Sequence, residues 1–215
     1  MDKIDTFIRR LSQIETQPTL ANIYAATSAQ NEVCINNLSL YLHRIMKNNS
    51  HVILVGEAPG WHGCRLSGIP FTCEDMFTQE WIPGIMGKDL EYQTVSEGIL
   101  EREGSALVIW RKMKDWYNKF QSVPLLWNIC PFHPHEEGND NTNRRPRASE
   151  LALGKPILDE LLRLFEIEYI GAIGKESEKA ILKMGKNVFP IRHPSRGGAS
   201  LCACHIDQFM NTIEI

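Results

Sequence analysis

Apolar residues recur along the chain with two different periods, and each period predicts one kind of element. Spacings of three and four residues predict amphipathic helices over 2–15, 36–47, 149–165, 176–184 and 204–213. Short unbroken apolar runs predict buried strands over 52–55, 125–129, 168–173 and 188–191. The segment 105–120 is ambiguous, because 106–109 fits a strand, although the longer apolar spacing favours a helix. Strands that alternate with helices predict an α/β three-layer sandwich around a mostly parallel four-stranded sheet.

Two long stretches follow neither period. Residues 56–95 are irregular and contain many Gly and Pro residues, and 133–147 form a polar loop. Loops of this length inside a compact domain usually carry function. We find no repeat and no linker, so we expect one domain over 1–215, with the helices of 1–48 packed on the sheet.

Composition and charge narrow the class of protein. The chain is 43% hydrophobic and 23% charged, as in an ordinary globular protein, and no apolar run approaches the roughly 20 residues that span a bilayer. The N-terminus does not resemble a secretory signal, so we expect a cytoplasmic protein and, most simply, a monomer. Six cysteines without a CxxC pair indicate reduced thiols rather than disulfides or a metal site.

The net charge of −3 argues against a broadly basic nucleic-acid coat, but it leaves room for a local basic footprint. Two clusters could supply one. The denser is Arg144-Arg145-Pro146-Arg147, and the other contains Arg192, His193 and Arg196. Either cluster alone is most often solvated surface.

Unusual chemistry follows three of the predicted strands. The segments are Gly56-Glu57-Ala58-Pro59-Gly60, Asn128-Ile129-Cys130-Pro131 and His193-Pro194-Ser195. Taken singly, these are typical of a turn, an asparagine that caps its own backbone, and a helix start with Ser195 as its N-cap. Because ligands of parallel sheets bind beyond the carboxyl ends of the strands, their convergence indicates one site.

These segments resemble the uracil-DNA glycosylase superfamily over roughly residues 50–205. GEAPG is similar to the first motif of the iron–sulfur-containing bacterial and archaeal enzymes, and the SG-x-PF that follows also resembles the single-strand-selective monofunctional type. WNICPF…NRRPRASEL resembles the middle segment of the monofunctional enzymes, and IRHPSRGGAS resembles the family's His-Pro-Ser motif. The resemblance implies cleavage of the N-glycosidic bond of a flipped deaminated base in single- or double-stranded DNA. Uracil is the first expectation, with hypoxanthine and xanthine left open.

The resemblance also implies roles for individual residues. Phe71 would stack on the base, Asn128 would read its edge through one donor and one acceptor, and His193 would donate to the base oxygen that gains charge. The backbone of the turn would face the base and the attacking water, with base contacts from Gly56, Ala58 and Pro59. DNA phosphate would be contacted by the loop that contains Ser195, Arg196 and Gly197. Leu201 is the one bulky candidate for a wedge beside the vacated base.

Two departures from the family pattern affect these expectations. The classical uracil glycosylases and the monofunctional type have Asp or Asn where this chain has Ala58, which leaves open the group that handles the water. Glu57 is the leading candidate, and Glu74 or Asp75 is the second choice; Glu57 could also be an ordinary surface carboxylate. The cysteine spacing that binds an iron–sulfur cluster has no counterpart here, so we expect no cluster and no other cofactor.

Three other functions are considered from the residues. His135-Glu136-Glu137 resembles part of a zinc deaminase motif, but the P-C-x-x-C partner is missing. The segment 171–175 lacks the spacing of a P-loop. The stronger rival is a member of the same superfamily that binds a nucleobase or nucleic acid without cleaving it.

Overall fold

A computed structural model describes residues 2–96, 98, 100 and 102–213. Its α-helices are α1 Lys3–Ser12, α2 Ala29–Lys47, α3 Cys64–Ser67, α4 Gly104–Phe120, α5 Ala148–Leu164, α6 Lys175–Leu182 and α7 Ala199–Met210. Its strands are β1 Leu20–Ala21, β2 Val52–Gly56, β3 Glu80–Ile82, β4 Met86–Gly87, β5 Leu125–Asn128, β6 His133–Pro134, β7 Tyr169–Ile173 and β8 Phe189–Ile191. A 3-10 helix covers Glu74–Thr78.

Four strands form the central sheet, in the order β5-β2-β7-β8, and all of their pairings are parallel. The strands are nearly continuous apolar runs because both faces of the sheet are covered. In register, Gly56 at the end of β2 lies beside Asn128 at the end of β5, and Ile173 lies beside Ile191. The predicted α/β fold with a parallel four-stranded sheet is confirmed, and its carboxyl ends share one edge.

Helices cover both faces of this sheet. At Gly171 the missing side chain leaves room for Leu54 of β2 and for Phe209 of α7, so α7 lies on that face. Leu126 of β5 pairs with Leu54 and points to the same face. The next residue, Trp127, points to the opposite face, because side chains alternate along a strand. Its ring meets Phe7 of α1, with centroids 5.9 Å apart. The sheet is thus the middle layer of three.

The N-terminal helices pack by apolar faces. α1 begins after Asp2, whose carboxylate accepts a hydrogen bond from the Ile4 N–H, and it buries Ile4, Phe7, Ile8 and Leu11. The hydroxyl of Tyr41 in α2 accepts the N–H of Leu126 at 2.8 Å and ties this layer to β5. Among the described residues, no helix combines the length and the apolar character needed to cross a membrane.

Two helices begin earlier than their patterns predicted. α2 begins at Ala29 rather than at 36, because Ser28 caps it by accepting the Asn31 N–H and because Cys34 extends its buried face. α7 begins at Ala199 rather than at 204, directly after Gly198, and buries Cys202. Both predicted starts were wrong: polar residues in the first turn of α2 obscured its apolar period, and in α7 the apolar Leu201 is exposed and breaks the period. The ambiguous segment 105–120 is helical, as its longer spacing favoured.

The two stretches without a period contain short elements that the sequence did not reveal. Within the predicted loop 133–147, β6 pairs with β1 in an antiparallel bridge between His133 and Ala21. Within 56–95 lie α3, the 3-10 helix and the antiparallel pair β3 and β4. Strands of two or three residues are too short to show an alternation, so these pairings become visible only in three dimensions.

We expect Gly154→Ala to destabilise the protein by about 2 kcal/mol or more, because α5 approaches the end of β5 at this residue. An added Cβ would overlap the carbonyl oxygen of Ile129 and lie 2.8 Å from its carbonyl carbon. The matched control is Gly104→Ala in α4, where nothing lies within 4 Å and alanine favours the helix. Urea unfolding measures both variants. Equal stabilities would contradict the close packing of α5 on the sheet.

Candidate functional site

A cavity of about 1090 Å³ opens at the carboxyl edge of the sheet. The sequence predictions concentrated on this edge, and the structure brings most of the predicted residues together there. The predicted residues that line the cavity are Glu57, Ala58, Pro59, Phe71, Asn128, His193, Ser195 and Arg196. Gly56 lies directly beneath two of them, and Asp75 and Gly197 are not part of the lining.

Gly56 is not itself part of the lining; because it has no side chain, it forms a glycine floor beneath Phe71 and Asn128. A Cβ at this residue would overlap the ring of Phe71 and lie 2.6 Å from the Oδ1 of Asn128. Phe71 itself adopts a left-handed backbone conformation with φ of 53°, which costs about 1–3 kcal/mol for a residue other than glycine. The strained backbone turns the aromatic ring inward, over Gly56 and beside the amide of Asn128.

Asn128 is 2% exposed, and its Nδ2 has no hydrogen-bond partner among the described residues. A buried polar group without a partner costs about 1–3 kcal/mol, so its persistence needs a reason. The end of β5 holds the residue firmly, since Gly56 pairs with it in the sheet. This amide is therefore a fixed donor that a carbonyl group inside the cavity would satisfy.

His193 follows β8 and presents a neutral imidazole to the cavity. Its Nδ1 accepts the backbone N–H of Ser195 at 3.1 Å and lies 2.8 Å from the Ser195 hydroxyl. Because a backbone N–H only donates, the neutral ring carries its proton on Nε2. Burial lowers the pKa of His193, and the neighbouring charge of Arg192 lowers it further. The ring lies 6.4 Å from that of Phe71, so a planar ligand can contact both.

Glu57 is the polar side chain of the turn, and its surroundings act on its charge in opposite directions. Burial raises the pKa of Glu57, the cation of Arg145 opposes that rise, and the carboxylate of Glu176 adds to it. The Nε of Arg145 lies 3.7 Å from the Glu57 carboxylate, and the same guanidinium pairs with Glu176. The sequence showed Arg145 only as part of a basic cluster, and its place between two carboxylates is a finding of the structure.

Backbone and side-chain contacts fix the turn that carries Glu57. The carbonyls of Gly56 and Glu57 accept the N–H groups of Ile129 and Cys130, both at 2.9 Å. The two ring nitrogens of the fully buried His133 lie 2.9 Å from the carbonyl oxygens of Pro59 and Asp140, and the nitrogen that carries the proton donates to its carbonyl. The loop 133–147 therefore braces the turn and completes one wall of the cavity.

The loop after β8 is equally constrained. The guanidinium of Arg192 donates to the carbonyl of His193 at 2.9 Å, and a Cβ on Gly198 would overlap that same oxygen. Arg196 and Gly197 both adopt left-handed conformations, with φ of 53° and 73°. Ser195 and Arg196 are exposed on this tight loop, at the mouth of the cavity.

The second-choice acidic residues turn away from the cavity. Glu74 is 3% exposed, and its carboxylate accepts the N–H of Val95 at 2.5 Å. Asp75 pairs with Arg102 at 3.0 Å and also accepts from Gln79. Both carboxylates hold neighbouring segments of chain, and the geometry gives Asp75 no place in the chemistry of the cavity.

Glu103 lines the cavity, although the sequence gave no reason to select it. It lies just before α4, and in the sequence it is typical of an acidic residue at the start of a helix. Its backbone N–H points to the Sγ of Cys73 at 3.5 Å, so the beginning of α4 sits close to the segment that follows Phe71. This long-range contact brings a carboxyl group to the cavity wall.

One group of described residues has side-chain atoms close enough to share a metal ion, namely Asp2, Asp5 and His43. These residues do not line the cavity, and a 2.7 Å hydrogen bond between His43 and Asp2 explains their proximity. Within the described part of the cavity lining, Cys64 is the one cysteine, and burial holds its pKa well above the usual range. We therefore assign no metal or cofactor to the site.

Comparison with known families finds one match. The family described as the uracil DNA glycosylase superfamily matches residues 43–199, which is more than half of the chain. The matched region contains the turn after β2, the end of β5 and the loop after β8, and it ends where α7 begins. No curated protein matches the chain.

We expect the imidazole of His193 to titrate below the usual histidine range and to keep its neutral proton on Nε2. Long-range proton–nitrogen NMR spectra of the labelled protein report both properties. His43 is an internal control with the opposite sign. Its burial alone would lower its pKa, but hydrogen bonds to the Ser39 carbonyl and to Asp2 raise it. A cationic His193 at pH 7, or a neutral ring protonated on Nδ1, would contradict this geometry.

Proposed function

Because the chain belongs to the uracil DNA glycosylase superfamily, we propose that it hydrolyses the N-glycosidic bond of a flipped deaminated base, uracil first. The products are the free base and an abasic site in DNA. Membership of the family supports DNA glycosylase activity in general. The observation that carries the finer proposal is the buried Nδ2 of Asn128, which has no hydrogen-bond partner among the described residues and belongs to an amide beside the ring of Phe71.

Asn128 and Phe71 together suit a flat ring whose edge carries a carbonyl group beside a ring N–H. Uracil stacked on Phe71 offers the C4 carbonyl to the Asn128 Nδ2–H and its N3–H to the Asn128 Oδ1. Cytosine has an amino group at C4 and no proton on N3, so both hydrogen bonds would be lost. Leaving buried polar groups unpaired costs about 1–3 kcal/mol each, which supports discrimination of uracil from the normal base.

His193 supports the departure of the base. When the bond between C1′ and the base breaks, the electron pair moves onto the ring and negative charge collects on the C2 oxygen. In this proposal the Nε2–H of His193 donates to that oxygen, and the hydrogen bond strengthens as the charge develops. A neutral imidazole suffices, which agrees with the lowered pKa of His193.

Glu57 is the proposed group for the water and for the sugar cation. Ala58 offers no polar side chain, whereas Glu57 belongs to the same turn and lines the cavity. An ionised carboxylate takes a proton from water as it attacks C1′, and it stabilises the positive charge on the sugar. The Arg145 guanidinium favours the ionised form of Glu57. Ser195 and Arg196, exposed at the mouth, are the proposed phosphate contacts, with Gly197 allowing close approach of the backbone.

We expect wild-type protein to release uracil from single- or double-stranded oligonucleotides, and Asn128→Ala and His193→Ala to slow this by about 10²–10³-fold. Alkali cleavage of the abasic product on a gel measures the rate. Asn118→Ala is the matched control, since Asn118 is exposed on α4 and outside the cavity lining. Retained base or DNA binding without cleavage of uracil, hypoxanthine or xanthine would favour the rival, non-catalytic member.

We expect the cleavage rate to rise with pH as Glu57 ionises, because its carboxylate is the active form. Arg145→Ala removes the charge that lowers the pKa of Glu57, so the acidic limb of the pH–rate profile should move to higher pH. Arg145→Lys should move it less, since a cation remains. Glu57→Gln should lose the limb and most of the rate. Cleavage that survives Glu57→Gln and disappears in His193→Ala would assign the water to another group.

A further inference from the structure

Glu57, Glu103, Glu176 and Glu178 all line the cavity, and the carboxyl group of Glu103 has no role in the chemistry above. Glu103 occupies the N-cap position of α4, yet its side chain makes no capping hydrogen bond. It turns instead toward the loop after the Glu57 turn. A Cβ on Gly63 would overlap its Oε2 and lie 3.0 Å from its Cδ, and a Cβ on Gly60 would lie 3.6 Å from its Oε1. Two glycines therefore make room for this carboxyl group at the cavity wall.

The charged and titratable groups around Glu103 leave it without a counter-ion within the described part of the chain. The nearby thiols of Cys64 and Cys73 have pKa values raised by burial and stay uncharged. Arg102 pairs with Asp75, and on the turn Arg145 lies beside Glu57. His62 lies between the two glycines in sequence and stacks on Trp61. Burial raises the pKa of Glu103 to about 7, so near neutral pH much of it is a carboxylic acid with an O–H to donate.

We propose that Glu103 is a specificity-determining residue, whose carboxylic acid donates a hydrogen bond to N7 of a deaminated purine held by Asn128. This inference rests on the proposed function, because it assumes a flipped base in the cavity. A 6-oxopurine such as hypoxanthine shows Asn128 the same pattern as uracil, a carbonyl beside a ring N–H. Its N7 lies next to that carbonyl, on the side away from the ring N–H.

The residues around His193 and Glu103 are consistent with a purine placed between these two side chains. A Cβ on Gly174, directly after β7, would lie 3.6 Å from the Cβ of His193, whereas Glu103 lies against Gly60 and Gly63, so the two groups line different parts of the cavity wall. The absent side chain at Gly60 leaves space for the second ring of a purine. Uracil presents C5–H at the corresponding edge and has no acceptor there. The proton of Glu103 therefore serves a purine and contributes little to uracil.

The hydrogen bond also matches the charge that the reaction develops. As the bond from C1′ to N9 breaks, its electron pair moves into the imidazole ring and makes N7 more basic. The Glu103 proton shifts to N7, and the base leaves as a neutral molecule. Water adds its hydroxyl to C1′ and gives its remaining proton to the Glu57 carboxylate, and both carboxyl groups then re-equilibrate with solvent. General acids of this kind contribute about 10²–10⁴-fold in rate.

The experiment compares hypoxanthine and uracil excision from otherwise identical oligonucleotides by the full chain, across a range of pH. For wild type, the hypoxanthine-to-uracil rate ratio should fall as pH rises through about 7, because Glu103 loses its proton. Glu103→Ala should lower the ratio at least about tenfold at pH 6, through the loss of one hydrogen bond. Glu103→Gln keeps an N–H donor at every pH, so its ratio should not fall at high pH. Glu91→Ala, an exposed carboxylate outside the cavity lining, is the matched control.

The outcomes separate this inference from the proposed function. Uracil excision with no hypoxanthine excision, or a ratio that Glu103→Ala leaves unchanged, overturns the role of Glu103 and leaves the glycosylase intact. Equal losses for both bases in Glu103→Ala and Glu103→Gln indicate a structural role and also overturn it. Failure to excise either base removes the proposed function and the inference together. A hypoxanthine-to-uracil rate ratio that depends on pH in the wild type and is independent of pH in Glu103→Gln supports the role of Glu103.

Discussion

The site depends on one close approach, that of the Phe71 ring and the Asn128 amide across the bare backbone of Gly56. No other residue type fits there, because any Cβ would overlap the ring. The approach sets the positions of both the Phe71 ring and the Asn128 amide. It also explains why the backbone of Phe71 is held in a left-handed conformation, since an ordinary one would turn the ring elsewhere.

Parallel topology supplies the rest of the arrangement. Because the four strands run in the same direction, β2, β5 and β8 end at one edge of the sheet. The segments that follow them therefore begin at that edge, although they are far apart in sequence. The short bridge between β1 and β6 and the buried His133 then hold the loop 133–147 against the Glu57 turn. The cavity is thus built from loops, but each loop is anchored to a buried element, which gives the polar groups fixed directions.

The sequence predicted those features that depend on neighbouring residues in the chain. It did not predict features that arise where distant segments meet. Buried strands are apolar on both faces, so they appear in the sequence as unbroken apolar runs. Parallel topology then predicts that the polar residues after these strands lie close together. Asp75 was selected because it lies close to Phe71 in sequence, but the chain turns after Phe71 and the carboxylate pairs with Arg102. Glu103 reaches the cavity only because the start of α4 docks beside Cys73, and no periodicity encodes that contact.

The site holds several groups in states that cost free energy. Asn128 buries a donor without a described partner, Phe71 is strained, and Glu103 is desolvated with no counter-ion among the described residues. Such costs persist only where surrounding structure imposes them, and here the sheet, the bridge and the glycine floor do so. A ligand that satisfies the amide and stacks on the ring recovers part of that cost on binding. The site is therefore preorganised for a planar ligand that carries a carbonyl group, and the stability of the fold supports this arrangement.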